Sequence, residues 1–491
     1  MPDALLPDAL LLAAPVAVPL ALAATYPALG WRPATAWAGL ASPAAVLACA
    51  GALATEVPSG GPATAYGGLL RADALTVWIL LGIGAVGALA CAASPAHLAA
   101  ERTDPVSARR YGLLVHLFLA AMALATLTAN LGVLWVAVEA ATIVTAFLVG
   151  HRRTRAGVEA AWKYVVICSV GIALAFLGTV LVYFAARHAG IPEAHALDWP
   201  TLAAHADRLD PHTLRLGTSL AILGFGTKAG LVPLHAWLPD AYSQAPAPVS
   251  ALMSGVLLAV SFTAVLRHKV IADAAVGTGF ARALLLAVAL LTLALAAALL
   301  LAQRDYKRML AYSSMEHMSL IALAAAVGTH LATAALLLHM AGHGLAKAVA
   351  FCSSGHFAQL TPTTRIGRIR GLLGRAPVLG TTFALAVAAL LGLPPFSLFA
   401  SELAIARAGF TAGLGWAVAL ALVLMLAAFA ALTSRSTRML LGTPPGNPAP
   451  VRFGASVWLP LVAGLLACAA LGVTTAPLTS LLDAAASIGG H

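Results

Sequence analysis

The sequence predicts an all-α integral membrane protein of about fourteen transmembrane helices. Three observations predict it. Of 491 residues, 61% are hydrophobic and only 9% charged, where a soluble domain carries roughly a quarter charged residues. Apolar stretches long enough to cross a bilayer as a helix recur from end to end. The stretches are continuous Ala/Leu/Val/Gly runs, not the short alternating segments of a membrane β-barrel.

The spans are expected over 4–24, 33–54, 72–93, 110–128, 130–150, 160–186 and 214–238 in the first half. They continue over 247–267, 281–302, 309–327, 331–357, 378–401, 411–433 and 455–475. The first stretch has acidic Asp3 and Asp8 instead of a basic leader, so it reads as a retained helix. The longest loop, 187–213, is too short to fold alone, and 443–451 is a Pro/Gly-rich loop.

The net charge of +10 does not point to nucleic acid, because of where the basic residues fall. With the amino terminus outside, the inner side holds Arg32 and the loops near 102–110, 152–155, 304–308, 365–375 and 435–452. The outer side holds Arg71, Arg187, Arg208, Arg215, Arg267, Lys269, Arg282 and Arg407. The excess lies inside, as expected for a bacterial cytoplasmic membrane with both termini on the outer face. The histidines His97, His151, His188, His195, His205, His212 and His268 are assigned to loops or helix ends and read as solvated.

Cys49, Cys91, Cys168, Cys352 and Cys468 stand alone in apolar helices. Without a Cys-x-x-Cys pair, the chain offers no iron–sulfur ligand set and no zinc site. It has no Walker A run and no dinucleotide fingerprint.

Ionisable groups within the spans carry the functional reading, since a charge at the bilayer centre costs several kcal/mol. Lys163, Lys228 and Lys347 lie within spans, Lys163 close enough to a helix start to snorkel. So do Glu139, Glu316 and Glu402, with Glu316 nearer one end. Six histidines sit in spans or at their ends: His116, His235, His317, His339, His343 and His356. His339, His343 and Lys347 are four apart and so share one helix face, with about 6 Å of rise between neighbours. Bridged by water, such a column is a route for a proton; a lone histidine would more often just bond a neighbouring carbonyl.

Two spans are interrupted. Gly224, Gly226, Gly230, Pro233 and Pro239 surround Lys228, and Gly392, Pro394 and Pro395 precede Glu402. In lipid, broken backbone survives only against protein or a wet cavity. Breaks five spans apart imply two repeats of opposite topology with a site at each break. The expected division is three helices over 1–109, a first repeat over 110–270, a second over 271–435, and a last helix over 436–491.

Four segments resemble the signatures of the antiporter-like membrane subunits found in respiratory complex I, energy-converting hydrogenases and multisubunit cation/proton antiporters. They are Lys228-Ala-Gly-Leu-Val-Pro-Leu-His-Ala-Trp-Leu-Pro-Asp240 with Ala245-Pro-Ala-Pro-Val-Ser-Ala-Leu252; Asp305-Tyr-Lys-Arg-Met-Leu-Ala-Tyr-Ser-Ser-Met-Glu-His-Met318; His339-Met-Ala-Gly-His343-Gly-Leu-Ala-Lys347; and Gly392-Leu-Pro-Pro-Phe-Ser-Leu-Phe-Ala-Ser-Glu402. The likeness runs from about 70 to 435. Trp162-Lys-Tyr164, Ser169-Val-Gly-Ile-Ala-Leu174 and Ser-Met-Glu-His-Met look most like the F-type subunit of hydrogenase-4.

The resemblance implies a proton-translocating subunit of a membrane oxidoreductase, with no cofactor in this chain. Nickel–iron or iron–sulfur centres would sit in partner subunits, a peripheral redox module and further membrane subunits. It implies that Glu139 pairs with Lys228, that His317 and His343 hold the central axis with Lys347, and that Glu402 is the terminal ionisable residue. The ion would be H⁺, with Na⁺ as the alternative. Other readings are a complex I or cation-antiporter subunit, an inorganic-carbon-uptake relative, a non-conducting anchor, or a solute carrier. One departure favours the anchor: the eighth helix has Ala259, with only Ser254, Ser261 and Thr263 nearby, where many members carry a lysine or histidine.

Overall fold

The computed structural model describes residues 8–443 and 449–489; Asp3, the start of the first expected span and most of the 443–451 loop lie outside them. The chain is nearly all helix. Its spanning units are α1 (Asp8–Leu29), α2 (Pro33–Gly60), α3 (Ala74–Ala100), α4 (Pro105–Leu127), α5 (Leu131–Val149) and α6 (Arg155–His188). Next come the broken α7 (Pro211–Lys228 and Trp237–Gln244), then α8 (Ala247–Val276), α9 (Thr278–Ala302), α10 (Tyr306–Val327) and α11 (His330–Leu360). The broken α12 (Pro377–Leu390 and Ser397–Thr411), α13 (Gly415–Leu440) and α14 (Ala455–Val473) follow. Counting each broken pair as one crossing gives fourteen, as the sequence predicts. A short helix not foreseen, α15 (Thr479–Gly489), packs back on α3 and α11.

Polar residues start the helices where backbone N–H groups would go unpaired. Asp73, Asp104, Asn130, Thr154, Asp210, Asp305 and Thr329 each accept from the first turn of α3, α4, α5, α6, α7, α10 and α11. A small hairpin, β1 (Ala63–Ala65) with β2 (Leu70–Ala72), leads into α3.

Burial sorts the helices. Across their apolar windows α8, α10 and α11 are 94% buried, against 28–44% for α1, α2, α5, α6, α9, α13 and α14. The two least apolar of the unbroken spans, α10 and α11 (mean hydropathy 1.2 and 1.4), therefore stand at the centre and the two most apolar, α9 and α6 (2.9 and 2.7), in the outer ring. The reason is the solvent: a polar group is costly against lipid and must face protein. Close crossing of α8 and α11 needs glycine. A Cβ on Gly255 would lie 3.0 Å from the Gly344 carbonyl oxygen, and one on Gly344 3.1 Å from that of Gly255.

The two breaks share one backbone pattern. At the first, Ala229, Gly230 and Leu231 donate to Phe225, Thr227 and Gly226; at the second, Leu391, Gly392 and Leu393 donate to Val387, Ala389 and Ala388. Gly230 (φ +77°) and Gly392 (φ +62°) take the left-handed conformation, and a cis proline follows each, at Pro233 and Pro395. Side chains satisfy backbone groups that the first break frees: Trp237 Nε1 donates to Thr227 O (2.9 Å), and Val232 N donates to Thr292 Oγ1 (3.1 Å).

The structure corrects several outer-loop assignments. The helix α8 continues to Val276, so Arg267, His268 and Lys269 are buried. Arg267 grips Asp73 (Nη1 to Oδ2, 2.7 Å) under the Trp199 ring at 4.0 Å, and Lys269 pairs with Asp273 at 2.5 Å. The 189–210 loop, with its short helix Trp199–Ala204, packs against this end of α8 and shields it. His97 and His151 are also buried, whereas His188, His195 and His212 are exposed. Lys163, its side chain 47% exposed near the start of α6, pairs with Glu159 (2.6 Å) and Asp240 (3.2 Å).

Candidate functional site

The stripe His339, His343, Lys347 runs down α11 into the core, each residue at most 2% exposed. From α10, His317 meets it: its ring centroid is 5.2 Å from both His339 and His343, and its Nδ1 is 3.1 Å from His339 Nε2. His339 Nδ1 is 2.9 Å from Ser401 Oγ on the second arm of α12. The Lys347 ammonium donates to the Leu310 carbonyl at 2.7 Å. His343 Nε2 is buried without a hydrogen bond.

Glu402 closes one end. Its carboxylate rests on the break glycine, so close that a Cβ on Gly392 would lie 2.2 Å from Oε2. With Glu316 it lines a cavity of about 210 Å³ walled by Leu and Met side chains and Phe429. Glu316 is electrostatically coupled to both Lys347 and Glu402. His317, His339 and Glu402 bring one ligand atom each within 4.8 Å of one another.

At the other break, Lys228 is fully buried on the last turn of the first arm of α7. The expected pairing with Glu139 is not a contact: no ion pair joins them among the described residues. Lys228 Nζ donates instead to the Tyr164 hydroxyl at 2.7 Å, and that hydroxyl is 2.5 Å from Thr145 Oγ1. The reason is placement. Glu139 lies on α5 beside the outward stripe of Val136, Ile143 and Phe147, each 55–56% exposed, while Tyr164 of α6 reaches the interior. The Glu139 charge still acts on Lys228, and its Oε2 makes no hydrogen bond.

Between the halves, Ala259 contributes only to an apolar cavity of about 350 Å³ between α3, α8, α11 and α14. One turn earlier the hydroxyls of Ser254 (α8) and Ser314 (α10) are 2.9 Å apart, and the nearby Tyr242 hydroxyl is buried without a hydrogen bond among the described residues. Trp237 packs edge-on to both Tyr164 and Tyr242, at 5.0 and 6.0 Å.

Of the other histidines, His116 is held by Tyr26 OH (3.0 Å) and Ser42 Oγ (2.9 Å) and belongs to the packing of α1, α2 and α4. Among the described residues, His235 bonds the Pro233 carbonyl in the break. His356 stands edge-on to His97 at 6.2 Å. Just outside α3, burial pushes the Glu101 carboxyl up, but hydrogen bonds and charge from His97 and Arg152 outweigh it and hold it well below the usual range. Burial, with Arg110 nearby, pushes the loop residue His151 down to about 4.

Sequence reading singled out Ser254 near the gap but missed the roles of Tyr164, Tyr242, Ser314 and Ser401, and gave Glu316 none. The only signal available was a hydroxyl in an otherwise apolar stretch, and threonines and serines that bond their own helix give the same signal.

Residues 128–428 match the family model described as NADH:quinone oxidoreductase/Mrp antiporter, transmembrane. A hydrogenase-4 component F homolog of Methylacidiphilum infernorum is 37% identical over 415 residues, covering 84% of this chain and 86% of that one. An NADH-quinone oxidoreductase subunit N of Deinococcus radiodurans is 31% identical over 359 residues, covering 72% and 70%. In structure, a chain of the membrane-bound sulfane sulfur reductase, an archaeal respiratory membrane complex, aligns with TM-score 0.86 at 25% identity, covering 98% and 97%. The chain is therefore a multi-span membrane protein of the NADH:quinone oxidoreductase/Mrp antiporter family.

Proposed function

We propose that this chain conducts protons through its interior as the membrane subunit of an energy-converting, hydrogenase-4-like oxidoreductase. One observation supports the reading: Lys228 beside the first break and His317, His339, His343 and Lys347 toward the second are buried inside the helix bundle, with Glu139 and Glu402 half-buried beside them. Burying such groups is costly and is sustained where they work. The two inverted repeats, 110–270 and 271–435, each supply one break and one half-site, Lys228 at one and Glu402 at the other.

The missing base on α8 is bypassed. Serine and tyrosine hydroxyls both donate and accept, so Tyr164, Tyr242, Ser254 and Ser314, with water between them, carry a proton from the Lys228 half to Lys347. Glu139, half-buried at the edge of the outward face, borders a neighbouring membrane subunit. The electron-transfer chemistry, on nickel–iron or iron–sulfur centres, belongs to a peripheral module on the basic face. That face is the inner side of a bacterial cytoplasmic membrane, and both termini lie outside. A second reading, a non-conducting anchor, draws on the apolar surroundings of Ala259.

Proton flux in proteoliposomes holding the purified complex separates the two. Flux that collapses in Lys228→Ala and in Glu402→Gln, with assembly intact, supports conduction through both half-sites. Flux unchanged in both makes the buried charges structural and favours the anchor.

A further inference from the structure

The His317–His339–Glu402 cluster has the composition and spacing of a metal site, although the cysteine pattern offers none. We propose that it binds a divalent transition metal of the zinc class. Two imidazoles and one carboxylate are a ligand set suited to such ions. Zinc–nitrogen bonds of about 2.0–2.1 Å at a tetrahedral angle place two nitrogen ligands about 3.3–3.4 Å apart. His317 Nδ1 and His339 Nε2 stand 3.1 Å apart, close to the edge that one bound ion requires. The Glu402 ligand atom falls within 4.8 Å of those of both histidines.

The surroundings supply what a metal site needs. Ser401 Oγ, 2.9 Å from His339 Nδ1, orients that ring from behind and leaves Nε2 for the ion. His317 Nε2 is buried without a hydrogen bond of ordinary geometry, although the Leu390 carbonyl is nearby. For His317 Nδ1 to bind the ion, the proton on the shared N···N edge moves to His317 Nε2, beside the Leu390 carbonyl, so both ligating imidazoles stay neutral. The adjoining cavity of about 210 Å³ gives access and room for a water as the remaining ligand. A dication there also offsets the carboxylates of Glu316 and Glu402, which line the same space.

Binding itself depends only on this geometry. Its consequence, that the ion plugs the route by occupying three of its members, rests on the proton-conduction reading.

The test titrates the purified full-length chain in detergent with Co²⁺, followed by the visible absorption of four- or five-coordinate cobalt. Wild type should take up one Co²⁺ per chain, displaced by Zn²⁺. The band should be lost in His339→Gln and in the nearly isosteric Glu402→Gln, and kept in His116→Gln, whose nitrogens are engaged elsewhere. No band in wild type, or a band that survives in a monodisperse Glu402→Gln, overturns the site. In proteoliposomes of the wild-type complex, Zn²⁺ should remove proton flux over the same concentrations. Stoichiometric binding without loss of flux would leave the site standing and count against the proton route instead.

Discussion

The side-chain oxygens of Ser254 and Ser314 lie 2.9 Å apart across the α8–α10 boundary, one turn from Ala259. They form a direct polar connection between the two halves at the position where a basic residue is missing. Removing one hydroxyl should interrupt that connection without opening a large cavity. Ser254→Ala is expected to cut flux several-fold, while Ser254→Thr keeps most of it. Equal flux in wild type and a Ser254→Ala/Ser314→Ala double variant would show that the route passes elsewhere.

Tyr164 is the direct partner of Lys228. Tyr164→Phe leaves a buried ammonium short of an acceptor, a loss worth about 1–3 kcal/mol. The variant should unfold at lower temperature than wild type and carry less flux. A thermal midpoint indistinguishable from wild type would mean that Lys228 finds its acceptor elsewhere, Cys168 and Glu139 being the candidates.

Gly392 must remain glycine. A Cβ there meets Glu402 Oε2 at 2.2 Å, on a backbone at φ +62°. At the first break the atom met is the tip of Leu238, at 2.5 Å, which can rotate away. Gly392→Ala should therefore lower flux more than Gly230→Ala does. Combining Gly392→Ala with Glu402→Ala should recover part of the stability lost, and a double-mutant cycle on thermal unfolding measures that coupling. Strict additivity would contradict the contact.

His116 is assigned to structure. Its two bonds, to Tyr26 and Ser42, staple α1 and α2 to α4. His116→Ala should cost about 1–3 kcal/mol of stability and leave flux per assembled complex unchanged. A selective loss of flux would bring His116 into the transport machinery.

His151 predicts a pH dependence. Its folded-state value near 4 lies below the ordinary 6.5, so the unfolded chain takes up the proton first as the pH falls. Its contribution is complete above about pH 6.5 and is lost as the pH falls toward 4. Neither ring nitrogen is hydrogen-bonded, and the ring stands edge-on to Tyr111 at 5.6 Å. His151→Phe should preserve that packing and flatten the acid-side loss, as read by thermal unfolding from mildly acidic to neutral pH.

Composition and period were enough to predict the crossing number, the two breaks and several of the buried charges. Each follows from local physics. About twenty apolar residues span a bilayer, Gly and Pro interrupt a helix, and residues four apart share a face. That is why Lys228, Glu402 and the His339–His343–Lys347 stripe were legible. Which helices stand at the centre, and which groups touch, emerged only from the packed chain. Packing gave Lys228 to Tyr164 and left Glu139 half-buried at the edge of the outward face of α5. It carried Arg267 and Lys269 from an expected loop into buried ion pairs, and it set His317 against His339 from a different helix. Such contacts depend on helix rotation and crossing, which side chains from several distant segments set together. No window of sequence contains them.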